Sequence, residues 1–158
     1  SLSVHAAYTY LNAEFTDYVI SRQMTKDPDG WGPKKADFER TDLSGNRVPR
    51  TSKHILNLTV DYKIMPDWTI SPELIVKSSY YADETNEHKQ EGYEIVNVRT
   101  DYRLNKDFEI FAKVDNVLDE TYYQFVNISS SAVATMADDA TIRVAPPRAY
   151  YAGIRYKF

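Results

Sequence analysis

The chain has no cysteine, which removes disulfides, thiolate metal sites and cysteine nucleophiles from consideration. Glycine is scarce, five in 158 residues, and no Gly-rich phosphate loop, nucleophile elbow or ordered catalytic triad occurs, so an enzyme is not expected. No run of like charge stands out. The 19 basic and 23 acidic residues are spread along the chain to a net charge of -4, which argues against a nucleic-acid surface. No apolar run is long enough for a membrane helix: the longest uncharged stretch, Thr121 to Ala137, carries Gln124, Asn127 and several hydroxyls. The start, Ser1-Leu2-Ser3-Val4-His5, lacks the basic and apolar parts of a secretory signal. His5, His54 and His88 share no metal-ligand spacing, and Asp27-Pro28-Asp29-Gly30 and Asp138-Asp139 lack a calcium-loop pattern. No metal or cofactor is expected. A helical membrane protein is thereby excluded, whereas a barrel is not.

What is present is alternation. Leu2 to Tyr10, Lys53 to Ile64, Trp68 to about Tyr81, Gly92 to Leu104, Phe108 to about Tyr123, and Arg148 to Phe158 each place apolar residues at every second position, the period of a strand with one apolar side. Pro72 predicts a bulge or irregular pairing in the third strand, because proline cannot donate to a ladder. Phe111 interrupts the polar side of the fifth. Met65-Pro66-Asp67 and Asn105-Lys106-Asp107 read as tight turns. Phe15 to Ser52, Ala82 to Glu91 and Gln124 to Pro147 read as long loops.

The expected fold is all-β: an antiparallel meander of about six long strands, with long loops at one end and short turns at the other. That is the layout of a membrane barrel. Tyr80, Tyr81, Tyr93, Tyr122, Tyr123, Tyr150 and Tyr151 fall near the long-loop end, and Tyr62, Trp68, Tyr102, Phe108, Tyr156 and Phe158 near the tight-turn end. Their separation projects to roughly the 25 Å of an outer-membrane apolar band. Interface anchors are therefore expected at Tyr62, Trp68, Tyr93, Tyr102, Phe108 and Tyr150. The opposite side carries charges of both signs, from Asp61 and Glu73 to Arg99, Lys113 and Arg155, which suits a wet lumen.

Asp115-Asn116-Val117-Leu118-Asp119-Glu120-Thr121-Tyr122-Tyr123, followed by Pro146-Pro147-Arg148 and the aromatic end at Tyr156 and Phe158, resembles the carboxyl-terminal signature of TonB-dependent outer-membrane receptors. Leu43-Ser44-Gly45-Asn46-Arg47-Val48-Pro49-Arg50 ahead of His54 resembles a further segment of that family. The resemblance spans residues 1-158 but only the tail of a family member, the carboxyl-terminal portion of a barrel of about 22 strands. It implies a bacterial outer-membrane location and a piece of a receptor whose plug, TonB box and earlier strands lie elsewhere. It further implies energised uptake of a scarce ligand, most often a ferric siderophore. The implied partners are outer-membrane lipid, TonB acting through the missing amino-terminal part, and the barrel-assembly machinery, which would read Tyr156 and Phe158 as an insertion signal.

Ligand contact is expected in the loops and at their rims, at Trp31, Arg40, Arg50, Tyr80, Tyr81, Tyr122 and Tyr123, where cations and rings suit an anionic aromatic chelate. Two other readings stay open: a passive porin-like barrel, and a soluble β-sandwich binding module.

Overall fold

The computed structural model describes residues 1–23, 38–128 and 140–158. Twelve strands follow in chain order: β1 (Leu2–Tyr10), β2 (Val19–Gln23), β3 (Phe38–Asp42), β4 (His54–Met65), β5 (Trp68–Lys77), β6 (Tyr80–Tyr81), β7 (Lys89–Gln90), β8 (Tyr93–Arg103), β9 (Phe108–Asp115), β10 (Tyr123–Ile128), β11 (Ala140–Val144) and β12 (Ala149–Tyr156). Six of them make one antiparallel sheet in the order β1-β4-β5-β8-β9-β12. These are the six expected spans. The three long loops are not structureless, however: β2 pairs with β3, β6 with β7 and β10 with β11, so each carries its own two-stranded ribbon.

Two boundaries differ from expectation. The third span ends at Lys77, and Tyr80–Tyr81 belongs to a loop ribbon instead. The fifth ends at Asp115, because Asn116 and Asp119 take φ of 53° and 56° and turn the chain out of the sheet. No bulge forms at Pro72. Thr59 pairs with Glu73 and Tyr62 with Ile70 in one unbroken register, with Val60 and Asp61 unpaired to β5 between them, while on the other side Pro72 stays level with Val98. The missing donor thus costs ladder bonds but not register; the register shift falls between Lys63 and Met65, at the turn.

The turns follow from local chemistry. Asn105 Oδ1 accepts the backbone N–H groups of Asp107 (2.9 Å) and Phe108 (3.0 Å), closing the β8–β9 turn.

The registers sort side chains unambiguously. Leu2, Val4, Ala6 and Tyr8 stand level with Tyr62, Val60, Leu58 and Leu56, and the same side continues through Ile70 and Leu74, Thr100 and Val96, Ala112, and Ala152 and Ile154. Nothing among the described residues covers this side: Leu2 is 64% exposed, Val4 57% and Ile154 69%. The buried hydrophobics are instead Leu43, Tyr80, Ala82, Ile95, Val126, Ile128 and Ala145, most of them in the loops and their ribbons. A sandwich would bury its apolar sheet face against a second layer. Here the single sheet turns that face outward and keeps its small core beneath the loops.

Ring heights add a measure of tilt. Tyr62 is level, through Ile70, Thr100 and Ala112, with Ala152, yet the ring on β12 is Tyr156, level with Phe108. The aromatic row thus drops four residues, roughly 13 Å, across four strand intervals of about 4.8 Å, a tilt near 35° that matches membrane barrels.

Candidate functional site

The inner side of the sheet is a polar wall. Residues alternate with the lipid-facing set, so Asp61, Ser71, Glu73, Asn97, Arg99 and Lys113 line one shallow concavity of about 490 Å³. Their charges are matched within the sheet. Ser71 Oγ donates to Asp61 Oδ1 at 2.5 Å, His5 Nε2 lies 3.4 Å from Asp61, and Asn97 Nδ2 donates to Glu73 at 2.7 Å. Arg99 pairs with Asp101 (2.5 Å), Lys113 with Asp115 (2.7 Å) and Arg155 with Glu109. Phe111, the apolar interruption, lies among these charges with the guanidiniums of Arg99 and Arg155 at 5.6 and 6.0 Å from its ring centre. Such a wall offers water and a polar body many donors and acceptors.

At the long-loop end the connections are stitched to one another. Asn86, at φ 60°, donates to the Arg47 carbonyl at 2.9 Å and accepts the Arg47 N–H at 2.8 Å, while Asn46 Nδ2 donates to the Glu84 carbonyl. Arg50 N–H donates to the Tyr81 carbonyl, and its guanidinium donates to Asn127 Oδ1 (3.0 Å) and lies over Phe125. Beneath them Ala82, Val126 and Ile128 form a small apolar cluster with Ala140.

Asp83 is the polar centre of the β6–β7 connection. Its carboxylate accepts the Thr85 hydroxyl and the backbone N–H groups of His88 (2.9 Å) and Glu87 (3.3 Å), and His88 Nδ1 lies 3.3 Å away. Burial pushes this carboxyl up, but the hydrogen bonds from Thr85, His88 and Glu87 and the imidazole beside it hold it below its ordinary value. Ligand atoms of Asp83, Glu87 and His88 fall within 4.8 Å of one another, but the buried carboxylate is occupied by the loop's own donors and works as a staple.

The expected contact residues separate. Trp31 lies outside the described residues, as do Asp27-Pro28-Asp29-Gly30 and Asp138-Asp139. Arg40 is exposed on β3, level with Ser21, and Tyr123 is exposed on β10. Tyr81 is half-buried beneath Arg47, and Tyr122 packs at a tilt against Tyr93 with ring centres 4.3 Å apart. Two expectations change. Tyr80 is not a rim ring: it is 4% exposed, and burial pushes its phenol up, against the opposing pull of a hydrogen bond with the Val126 backbone and of the Arg50 charge. Arg50 is committed to Asn127 and Phe125.

The interface anchors also divide. Tyr62, Trp68, Tyr102, Phe108 and Tyr150 stand on the outward apolar side. Tyr93 does not: it is level with Lys77 and an odd number of residues from Tyr102 in an unbroken register, so it belongs to the polar side. The outward rings at the loop end are Tyr8, Tyr10 and Tyr150 instead, 61%, 59% and 70% exposed. Tyr156 packs on Phe108 at 4.7 Å and meets Phe158 edge-on at 5.1 Å.

The sequence reading missed what Asn116 and Asp119 do. Buried Asn116 donates to the Glu120 carbonyl (2.8 Å), accepts the Glu120 N–H (2.9 Å), and gives its own N–H to Asn97 Oδ1 (2.9 Å). Asp119 Oδ1 accepts the Arg148 N–H at 2.9 Å. The spacing Asn-Val-Leu-Asp therefore fastens the end of β9 both to β8 and to the approach to β12.

Comparison with known proteins agrees with this architecture. The family model described as "TonB dependent receptor-like, beta-barrel" matches residues 1–117. A curated relative from Acinetobacter baumannii, "Probable TonB-dependent siderophore receptor PiuA", is 25% identical over 136 residues, which is 86% of this chain and 17% of the relative. The crystal structure of the siderophore receptor PiuA from A. baumannii superposes with a TM-score of 0.73 at 20% identity, over 99% of this chain and 20% of that one. The ferric citrate transporter FecA in its unliganded form gives 0.66 at 22% identity, over 98% of this chain and 21% of that one. The chain thus spans about a fifth of the length of these relatives. The chain belongs to the TonB dependent receptor-like β-barrel family and forms part of the wall of a bacterial outer-membrane barrel.

Proposed function

We propose that this segment serves an energised outer-membrane receptor for a ferric siderophore, supplying wall, lumen surface and outer loops. The observation that carries the reading is the family match joined to a sheet with a lipid-facing apolar side and an ion-paired inner side. A passive pore needs only a wet lumen. The family match points instead to transport coupled to TonB, and relatives named as siderophore receptors suggest the cargo. Trp31, Arg40, Tyr81, Tyr122 and Tyr123 are the residues of this segment proposed to meet it. Tyr156 and Phe158 form an aromatic edge of the kind the barrel-assembly machinery engages.

The test is uptake of radioactive iron from a panel of ferric siderophores by cells bearing the complete receptor. Uptake of at least one chelate should vanish when either the receptor or TonB is removed. Uptake of small solutes that persists without TonB, with no chelate transported, would favour a passive pore.

A further inference from the structure

The three strands that run toward the turn end, β4, β8 and β12, carry the same pair of residues there: Tyr62-Lys63, Tyr102-Arg103 and Tyr156-Lys157. Alternation sends each ring outward and each cation inward. Tyr62, Tyr102 and Tyr156 stand on the lipid side, so Lys63, Arg103 and Lys157 stand on the lumen side.

The three cations share one depth. Lys63 is level in turn with Thr69, Asp101, Phe111 and Gly153, and a row that drops one residue per strand interval, as the aromatic row does, reaches Arg103 on β8 and Lys157 on β12. Neighbours in this row lie roughly 12 Å apart, from two strand spacings and two residues of rise.

Pairing changes along the wall. In its middle Arg99 is matched by Asp101, Lys113 by Asp115 and Arg155 by Glu109, so little net attraction is left for a passing ion. Lys63, Arg103 and Lys157 are exposed, and none is ion-paired among the described residues. Glu109, level with Arg103, is engaged by Arg155, and Asp67 and Asp107 lie in the turns themselves. The unmatched positive charge is therefore confined to the inner lip at the end that faces the periplasm in such barrels.

We propose that Lys63, Arg103 and Lys157 belong to a cationic lip at the periplasmic mouth, an exit site that draws an anionic ferric chelate out of the lumen. This rests on the reading of the segment as part of a ferric siderophore receptor. Rings of Lys and Arg favour anions in pores, and charge of one sign lining a low-dielectric opening raises the local concentration of the opposite ion. Placed where cargo leaves, it favours onward passage over return.

The test follows radioactive iron into cells bearing the complete receptor, supplied as an anionic ferric tris-catecholate, as ferric citrate and as an uncharged ferric trihydroxamate. In the triple variant Lys63→Gln, Arg103→Gln, Lys157→Gln the maximal uptake rate of the anionic chelate carried should fall about tenfold, while its equilibrium binding to cells lacking TonB stays as in wild type. Lys63→Arg with Lys157→Arg, which keeps the charge, should retain the wild-type rate, and uptake of an uncharged chelate should not change. Heat-modifiable migration confirms folding; should the triple variant fail to assemble, the three single variants take its place, each expected to lose about half the rate. An unaltered rate in folded variants, an equal loss for the uncharged chelate, or transport of the uncharged chelate alone would overturn the proposal. So would a loss confined to binding, which would assign the cations to an acidic surface resident in the lumen. Wild-type cells that take up none of the chelates would instead overturn the receptor reading, and the exit site with it.

Discussion

Gly153 of β12 stands level with Phe111 of β9, and a Cβ built on Gly153 would lie 2.6 Å from Phe111 Cζ. The ring occupies the space that a side chain on the neighbouring strand would need. Two arginines then cover it from β8 and β12. An apolar residue on the ionic side is thus accommodated by an absent side chain next to it.

Gly153→Ala should push the ring out of this position and loosen its contacts with Arg99 and Arg155. The expected loss is about 1–3 kcal/mol of barrel stability, the usual range for overpacking. Denaturant titration of the folded receptor in detergent measures it. Combining Gly153→Ala with Phe111→Leu should recover most of the loss, since the clash is with the ring's far edge.

Gly92 is held differently. Its Cβ would fall 2.3 Å from the Lys77 carbonyl oxygen and 3.0 Å from Ser78 Cα, and backbone cannot move aside as a ring can. Gly92→Ala should therefore cost more than Gly153→Ala and splay the loop ends of β5 and β8. Protease cleavage between Ser78 and Gly92 in intact cells should rise, while the turn end stays protected.

Asn116 combines a left-handed backbone with a buried amide. Asn116→Ala should cost about 2–3 kcal/mol through stranded backbone groups at Glu120 and the strain of φ > 0. Asn116→Gly should cost less, because only the amide is lost. The order of the two unfolding midpoints checks this, and equal values would show that backbone conformation contributes little there.

Sheet order, facing and turn positions were legible in the sequence because period two persists through each of the six long strands and the turns at Met65-Pro66-Asp67 and Asn105-Lys106-Asp107 carry their own chemistry. Counting in twos from Tyr102 reaches Glu94, so the polar placement of Tyr93 was also encoded; height alone had grouped it with the interface rings. The loop ribbons were not legible. Val19–Gln23 and Ala140–Val144 are five residues each, too short for alternation to stand out. Burial of Tyr80 and capture of Arg50 depend on Val126, Asn127 and Phe125, more than forty residues away in sequence, and no local pattern announces a contact made at that distance. The hydrogen bond from Trp68 Nε1 to Thr100 Oγ1, 2.8 Å long, was hidden for the same reason, since only register reveals which hydroxyl the indole meets.

The Asp83 staple gives the loop end a pH dependence whose sign follows from its hydrogen bonds. Its folded carboxyl is held below the ordinary value because the donors from Thr85, His88 and Glu87 favour the anion more than burial disfavours it. Its contribution is therefore complete above the unfolded value of about 3.9 and is lost as pH falls through the lower folded one. Between pH 5 and 8 this carboxyl should leave loop order unaltered, and the β6–β7 connection should loosen only below about pH 4. Hydrogen exchange at Glu87 and His88 N–H reads the change directly. Asp83→Asn keeps the acceptor oxygen but removes the charge, so it should weaken protection at neutral pH and flatten the acid dependence. Protection in Asp83→Asn that still falls with acid as in wild type would assign the effect to another group, with the nearby Glu84 and Glu87 carboxylates the next to replace.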